Sequence, residues 1–228
     1  VSTRMANERK YSENANEGRR ESVFGHCGLC LCRYASSLLS ARRANDARTT
    51  LLARTKFTDG PHDAKGPPYE IVAKIWKNQK YYEWWDSKED GAVYDGFEKS
   101  VAFLADVSKR RGPFDGIFGF SQGGSLTGTL CASKHAKNAL GGGELNEARN
   151  QLMSTVTFGA LFGAFMPRDE TFLKALSMAK ESKSEDMGLW MTCGKKDSDY
   201  CRDAMETIPK HFGEEGRMDV VWHPGAHE

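Results

Sequence analysis

Ser121 sits between glycines in the stretch Gly119-Phe120-Ser121-Gln122-Gly123, inside "FDGIFGFSQGGSL". Three structures use such a serine: a nucleophile on a sharp turn, a glycine loop around a phosphate, or a plain bend. The phosphate loop fails first. Its Gly-x4-Gly-Lys-Ser/Thr pattern needs a lysine that reaches the phosphates, and here Gly124 is followed by Ser125. The dinucleotide spacing Gly-x-Gly-x-x-Gly is also absent at this junction. Gly-x-Ser-x-Gly remains, and its context gives it weight. "FDGIFGF" is a short apolar run that reads as a buried strand, and "QGGSLTGTLCASKHAKNAL" reads as a helix closed by Gly141-Gly142-Gly143. A serine between a strand and a helix is what a nucleophile elbow requires. The turn strains the serine backbone and lifts Oγ clear of the sheet. Gly119, Gly123 and Gly124 keep side chains from colliding with the neighbouring strand or helix. The helix start aims free N–H groups and a positive dipole end at the site.

A serine hydroxyl is a poor nucleophile without a base to take its proton and an acid to orient that base. "GLWMTCGKKDSDY" supplies a strand followed by Gly194 and Asp197. "RMDVVWHPGAHE" supplies a strand followed by His223 and His227. The order Ser, Asp, His, with acid and base on loops after later strands, is that of an α/β-hydrolase. Asp197 is preferred to Asp199 because it comes sooner after its strand; its structural alternative is a helix N-cap. His223 ends the last strand, Pro224-Gly225 turns the chain, and His227 on that turn can reach across the sheet top. The structural alternative for either histidine is a solvated loop position.

The elements that must hold these residues follow from the apolar pattern. "LCLC", Leu29 to Cys32, reads as a short buried strand. Tyr34 to Arg54 fits an amphipathic helix, and "KFTDGPHDAKGPP" a strand ending in a Gly/Pro loop. Phe97, Val101, Leu104 and Val107 recur at helical spacing, and Gly112-Pro113 stops that helix. "STVTFGALFG", "GLWMTCG" and "RMDVVWH" read as strands, with helices over "ETFLKALSMAKES" and "YCRDAMETIPKHFGEEG" between them. Apolar strands alternating with helices predict an α/β fold on a mostly parallel central sheet with helices on both faces.

Composition excludes more than it assigns. The chain has 228 residues, 39% hydrophobic and 28% charged, with a formal net charge of +1. No polyanion partner is implied, so no nucleic acid, and no apolar run is long enough for a membrane span. Residues 1–22 are polar and charged and are expected to lack fixed structure; residues 23–228 are expected to form one domain. Of six cysteines, Cys27, Cys30 and Cys32 cluster in "HCGLCLC". A zinc site there would need a second ligand pair, which is missing, so Cys acting as a small hydrophobe is the stronger reading. Neither a metal nor a cofactor is expected. A disulfide scaffold does not suit a chain this long, and a reducing, cytoplasmic setting is expected. The opening Val1 and the close at Glu228 read as the edges of a piece of a longer protein.

"GPFDGIFGFSQGG", "TCGKKD" and "HPGAH" together resemble the FSH family of α/β-hydrolases, a family of serine hydrolases. "DGPH", Asp59 to His62, matches the family's D-x-P-H segment, and Trp84-Trp85 its aromatic "WW" region. The resemblance runs from about Gly28 to the end. It implies Ser121 as nucleophile, Asp197 as orienting acid, His227 as base and His223 as structural. It also implies an oxyanion hole from the backbone N–H of Gln122 and of Tyr34. There the chain departs from the family: Cys32-Arg33 stands where a His-Gly pair is usual, and the helix that normally follows the terminal histidine is absent.

The implied reaction is hydrolysis of carboxylic esters or thioesters through an acyl-serine, with a small-molecule acyl substrate as partner. Trp84, Trp85, Tyr81 and Tyr82 are candidates for the wall of an acyl pocket, against core packing onto the helix of Phe97 to Val107. Phe120 and Gln122 flank the serine and are expected to shape the acyl entrance. The rival expectation is an α/β-hydrolase-fold module that binds an acyl ligand and turns it over weakly or not at all.

Overall fold

A computed structural model of the chain describes residues 29–33, 54–68, 73–74, 77, 79–134, 138, 140, 142–181, 187–212 and 218–227. Its strands are β1 (Leu29–Arg33), β2 (Arg54–Thr58), β3 (His62–Asp63), β4 (Tyr82–Glu83), β5 (Asp86–Lys88), β6 (Val93–Asp95), β7 (Gly116–Phe120), β8 (Phe158–Phe162), β9 (Gly188–Gly194) and β10 (Met218–His223). Its helices are α1 (Phe97–Arg111), α2 (Gln122–Ser133), α3 (Glu144–Met153), α4 (Glu170–Glu181) and α5 (Asp199–Thr207).

Six strands form one sheet in the order β10-β9-β8-β7-β1-β2. β7, β8, β9 and β10 are parallel neighbours in chain order, joined by α2 and α3, then α4, then α5. Helices flank the sheet in an α/β-hydrolase architecture. Parallel strands joined by crossover helices need apolar side chains on both faces, and Ile117, Leu161 and Met191 are fully buried. All carboxyl ends of these four strands meet at one sheet edge, where open α/β sheets place their sites.

α2 is the central helix, buried from Gly123 to Ser133. Small residues allow that depth: a Cβ on Gly128 would fall 2.9 Å from Leu161 Cδ2, and one on Gly124 3.0 Å from Ala164 Cβ. The hydroxyls of Thr129 and Ser133 bond back to the carbonyls of Ser125 and Leu130, so burial leaves neither unpaired. α1 buries Phe97, Val101, Leu104 and Ala105, carries Lys109, Arg110 and Arg111 in its last turn, and ends at Gly112.

Several sequence expectations change here. α2 stops at Ser133 rather than near Leu140, and α3 and the paired short strands β3–β4 and β5–β6 were not foreseen. The stretch read as a helix from Tyr34 lies outside the described residues up to 53, and Arg54 already opens β2. Residues 1–22 and the "HCG" part of the cysteine cluster also lie outside them. The largest difference is the direction of β1. It runs antiparallel to both β7 and β2, with Leu29 opposite Gly119 and Cys32 opposite Gly116. The chain therefore leaves β1 at the amino end of β7, where Cys32 pairs with Gly116, five residues before Ser121.

For Trp84 and Trp85 the structure favours core packing, the second of the two alternatives the sequence left open. Both are fully buried at 0% exposure. Trp85 stacks on Tyr94 at 4.6 Å between ring centroids and meets Phe172 and Phe97 edge-on. The Trp85 ring thus packs in the core between α1 and α4, and Trp84 belongs to the same buried cluster. Among the described residues, no helix is long and apolar enough to cross a membrane.

Candidate active site

The site is assembled from the loops that follow β7, β8, β9 and β10. The sheet ladder continues past the strand ends and sets where each loop starts. Ser121 N–H donates to the carbonyl of Phe162 at 2.8 Å, Gly163 N–H to Thr192 at 2.8 Å, and Lys195 N–H to His223 at 2.9 Å. Four neighbouring loops thus leave the sheet in a fixed relation to one another.

Ser121 follows β7 with φ 55° and ψ −119° and leads directly into α2. A side chain there sits in a backbone region that L-residues rarely adopt. Gly119 permits the sharp turn, since a Cβ on it would lie 1.9 Å from the carbonyl oxygen of Gly123. Ser125, one helical turn on, pins the loop after β8: its Oγ donates to the Phe165 carbonyl at 2.8 Å and accepts from Phe165 N–H at 3.0 Å.

His227 Nε2 faces Ser121 Oγ at 3.0 Å, and its Nδ1 faces Asp197 Oδ2 at 2.8 Å. A carboxylate only accepts, so Nδ1 carries the proton and Nε2 is left as the acceptor for the serine hydroxyl. The imidazole packs against the Phe120 ring at 4.8 Å between centroids. The turn that carries it is seated by Gly194, where a Cβ would fall 2.1 Å from the carbonyl oxygen of Ala226. His223 instead accepts the Gly225 N–H on its Nδ1 and shapes that turn.

Asp197 is 8% exposed. Its Oδ1 accepts the Ser198 N–H at 2.7 Å, and its Oδ2 accepts from both His227 and the Cys193 thiol, the latter at 3.4 Å. Ser198, not Asp197, caps α5 by accepting the Cys201 N–H. Asp199 pairs with Arg202 on the exposed side of that helix. Two thiols therefore border the Asp–His pair. Burial pushes Cys193 up to about 12, with the Asp197 charge adding to it. Burial likewise pushes Cys201 up to about 11. Cys201 Sγ lies 3.9 Å from His227 Nδ1. The spacing of these cysteines, four residues on either side of Asp197, was visible in the sequence; that both face the carboxylate was not.

Gln122 takes a part that sequence reasoning missed. Its Oε1 accepts the Trp84 N–H at 2.7 Å and its Nε2 donates to the Trp85 carbonyl at 2.9 Å. Ser100 Oγ donates to the Trp84 carbonyl. Gly60, in "DGPH", backs the same segment, since a Cβ on it would lie 2.2 Å from the Glu83 carbonyl oxygen. His62 in that motif donates from Nε2 to the Gly96 carbonyl at 2.9 Å. The Gln122 side chain is therefore tied to the backbone beneath the site rather than free to shape an entrance. Its own N–H opens α2 beside Ser121, among the helix-start donors that have no intrahelical partner.

The second oxyanion donor expected from Tyr34 lies outside the described residues. Of the apolar pocket candidates, Phe120 borders the histidine.

Residues 29–228 match the family model described as Serine hydrolase (FSH1). Human Esterase OVCA2 is 27% identical over 165 residues, 65% of this chain and 67% of that protein. Esterase C25G4.2 of Caenorhabditis elegans is 33% identical over 109 residues, 46% of this chain and 49% of that protein. The chain thus spans two thirds of the human relative's length and half of the nematode one's. Among solved structures, acyl-protein thioesterase 2 of Zea mays is similar with a TM-score of 0.42 and 15% identity over 65% of this chain and 66% of that one.

Proposed function

The chain belongs to the serine hydrolase (FSH1) family, and on that premise we propose that it cleaves carboxylic esters or thioesters through an acyl-serine on Ser121. The observation that carries the proposal is the continuous hydrogen-bonded line from Ser121 Oγ through His227 to Asp197.

In the first step Oγ attacks the acyl carbonyl while His227 Nε2 takes its proton. Asp197 keeps the imidazole in the required tautomer and stabilises the imidazolium that forms. The negative charge on the carbonyl oxygen develops at the start of α2, where the Gln122 N–H and the positive end of the helix offset it. His227 then returns the proton to the leaving alcohol or thiol. Water, deprotonated by the same Nε2, attacks the acyl-serine and frees the acid.

One observation favours a second, slower version of this reading. Cys32-Arg33 stands where the family pattern has His-Gly, just before the position expected to carry the second oxyanion donor. An oxyanion hole with one donor instead of two costs about 10²–10³ in rate.

A fluorophosphonate probe applied to wild type and Ser121→Ala tests the proposal, together with p-nitrophenyl ester turnover. Labelling and turnover that vanish in the variant support it. Equal labelling of both proteins, or none in a folded wild type, removes it. Slow turnover with full labelling identifies the version with one donor.

A further inference from the structure

We propose that Asp197, Cys201 and His227 form a binding site for a divalent metal ion of the zinc class, and that filling it switches hydrolysis off. Among the described residues, these three offer one carboxylate oxygen, one sulfur and one imidazole nitrogen, all within 4.8 Å of one another. Thiolate, imidazole and carboxylate together are a zinc donor set, equally suited to cadmium.

The spacing matches tetrahedral coordination. Zinc bonds of about 2.0 Å to N or O and 2.3 Å to S put N and O roughly 3.3 Å apart and N and S roughly 3.5 Å apart. Here Nδ1 and Oδ2 are 2.8 Å apart and Nδ1 and Sγ 3.9 Å. Shifts of about half an ångström bring Nδ1 to tetrahedral spacing from both Oδ2 and Sγ, and the third pair already lies within 4.8 Å. Cys201 is held in the first turn of α5 and Asp197 by the Ser198 N–H. His227 stands on a turn where Pro224 and Ala226 are exposed, so the adjustment falls on the part of the site least confined. As it stands, Cys201 Sγ rests 3.7 Å from the Gly163 carbonyl.

Binding is a proton exchange. The Cys201 thiol gives up its proton to solvent and binds as thiolate. The His227 proton leaves Nδ1, which takes the metal, and appears on Nε2. One proton is released per metal and the imidazole stays neutral. Nε2 then points an N–H at Ser121 Oγ and cannot accept the serine proton. Because the metal displaces the thiol proton, binding strengthens as pH rises. The inhibition rests on the proposed hydrolase reading; the binding does not.

The test uses the full chain after chelator treatment. Zinc affinity is read by competition with a chromogenic chelator, and thiolate ligation by the cadmium–thiolate charge-transfer band. Wild type is expected to take up zinc at this site and show the band. Cys201→Ala, and Cys201→Ser should the first variant lose its circular-dichroism signature, are expected to weaken binding at least about tenfold and lose the band. Ester turnover, each protein scaled to its own rate in chelator, is expected to fall more than about tenfold with zinc in wild type and to resist it in the Cys201 variants. An unchanged band in folded Cys201 variants places the metal on other cysteines and overturns the site. Cys201-dependent binding without inhibition overturns the switch. Cys201-dependent binding in a protein without Ser121-dependent turnover supports the site and removes the hydrolytic reading instead.

Discussion

His227 Nε2 lies 3.0 Å from Ser121 Oγ across a sequence separation of 106 residues. The contact exists because β7 and β10 end at one sheet edge, with β8 and β9 between them. Ser121 holds its place at φ 55°, a conformation that costs a side chain of order 1 kcal/mol or more. Ser121→Gly is expected to raise stability by about 1 kcal/mol while abolishing ester turnover. Urea unfolding midpoints of the two proteins check the first outcome. A glycine variant less stable than wild type would show that the serine contacts outweigh the backbone strain.

Asp197 and Asp199 separate cleanly by position. Asp197 is buried and accepts three hydrogen bonds, whereas Asp199 is 84% exposed on its side chain and pairs only on the helix surface. Asp197→Asn is expected to lower kcat by about 10²–10⁴ through the wrong imidazole tautomer. Asp199→Asn is expected to leave kcat within about twofold, as surface pairs contribute little. Steady-state kinetics on a p-nitrophenyl ester decide between the two acids.

Gln122 is expected to matter for stability as well as for the site. Gln122→Ala leaves the Trp84 N–H and the Trp85 carbonyl without the partners seen here. Each buried group so orphaned costs about 1–3 kcal/mol. A thermal-unfolding temperature lowered by several degrees is the expected result. A variant as stable as wild type would mean that water reaches the segment and replaces the amide.

High pH is expected to unfold the protein through its thiols. Cys131, Cys193 and Cys201 are buried, and burial pushes them to about 12, 12 and 11 from an ordinary 9.0. Above pH 9 the unfolded chain releases thiol protons that the folded chain keeps, so stability falls as pH rises until the native thiols titrate. Each thiol contributes about 1.4 kcal/mol of loss per pH unit in that window. Between pH 8 and 10 the three together remove roughly 4 kcal/mol. Cys131→Ala is expected to make the slope shallower by one proton, read from urea midpoints across that range.

What the sequence determined by itself is what local pattern can carry. An apolar run, a glycine-flanked serine and a helical run must make a strand, a tight turn and a helix, because chain sterics and burial act over a few residues. Asp197 was legible for the same reason, standing just beyond an apolar run; that pattern left His223 and His227 both open, and only the family resemblance pointed to His227. "LCLC" was legible as a strand, but its direction was not, since a short apolar run pairs equally well either way and only its neighbours choose. The tertiary structure alone decided that β1 runs against β7, that Trp84 and Trp85 are core, that the Gln122 amide turns inward to their backbone, and that two thiols face Asp197. Those outcomes depend on hydrogen-bond partners and side-chain directions set across the sheet, between residues that the chain keeps far apart.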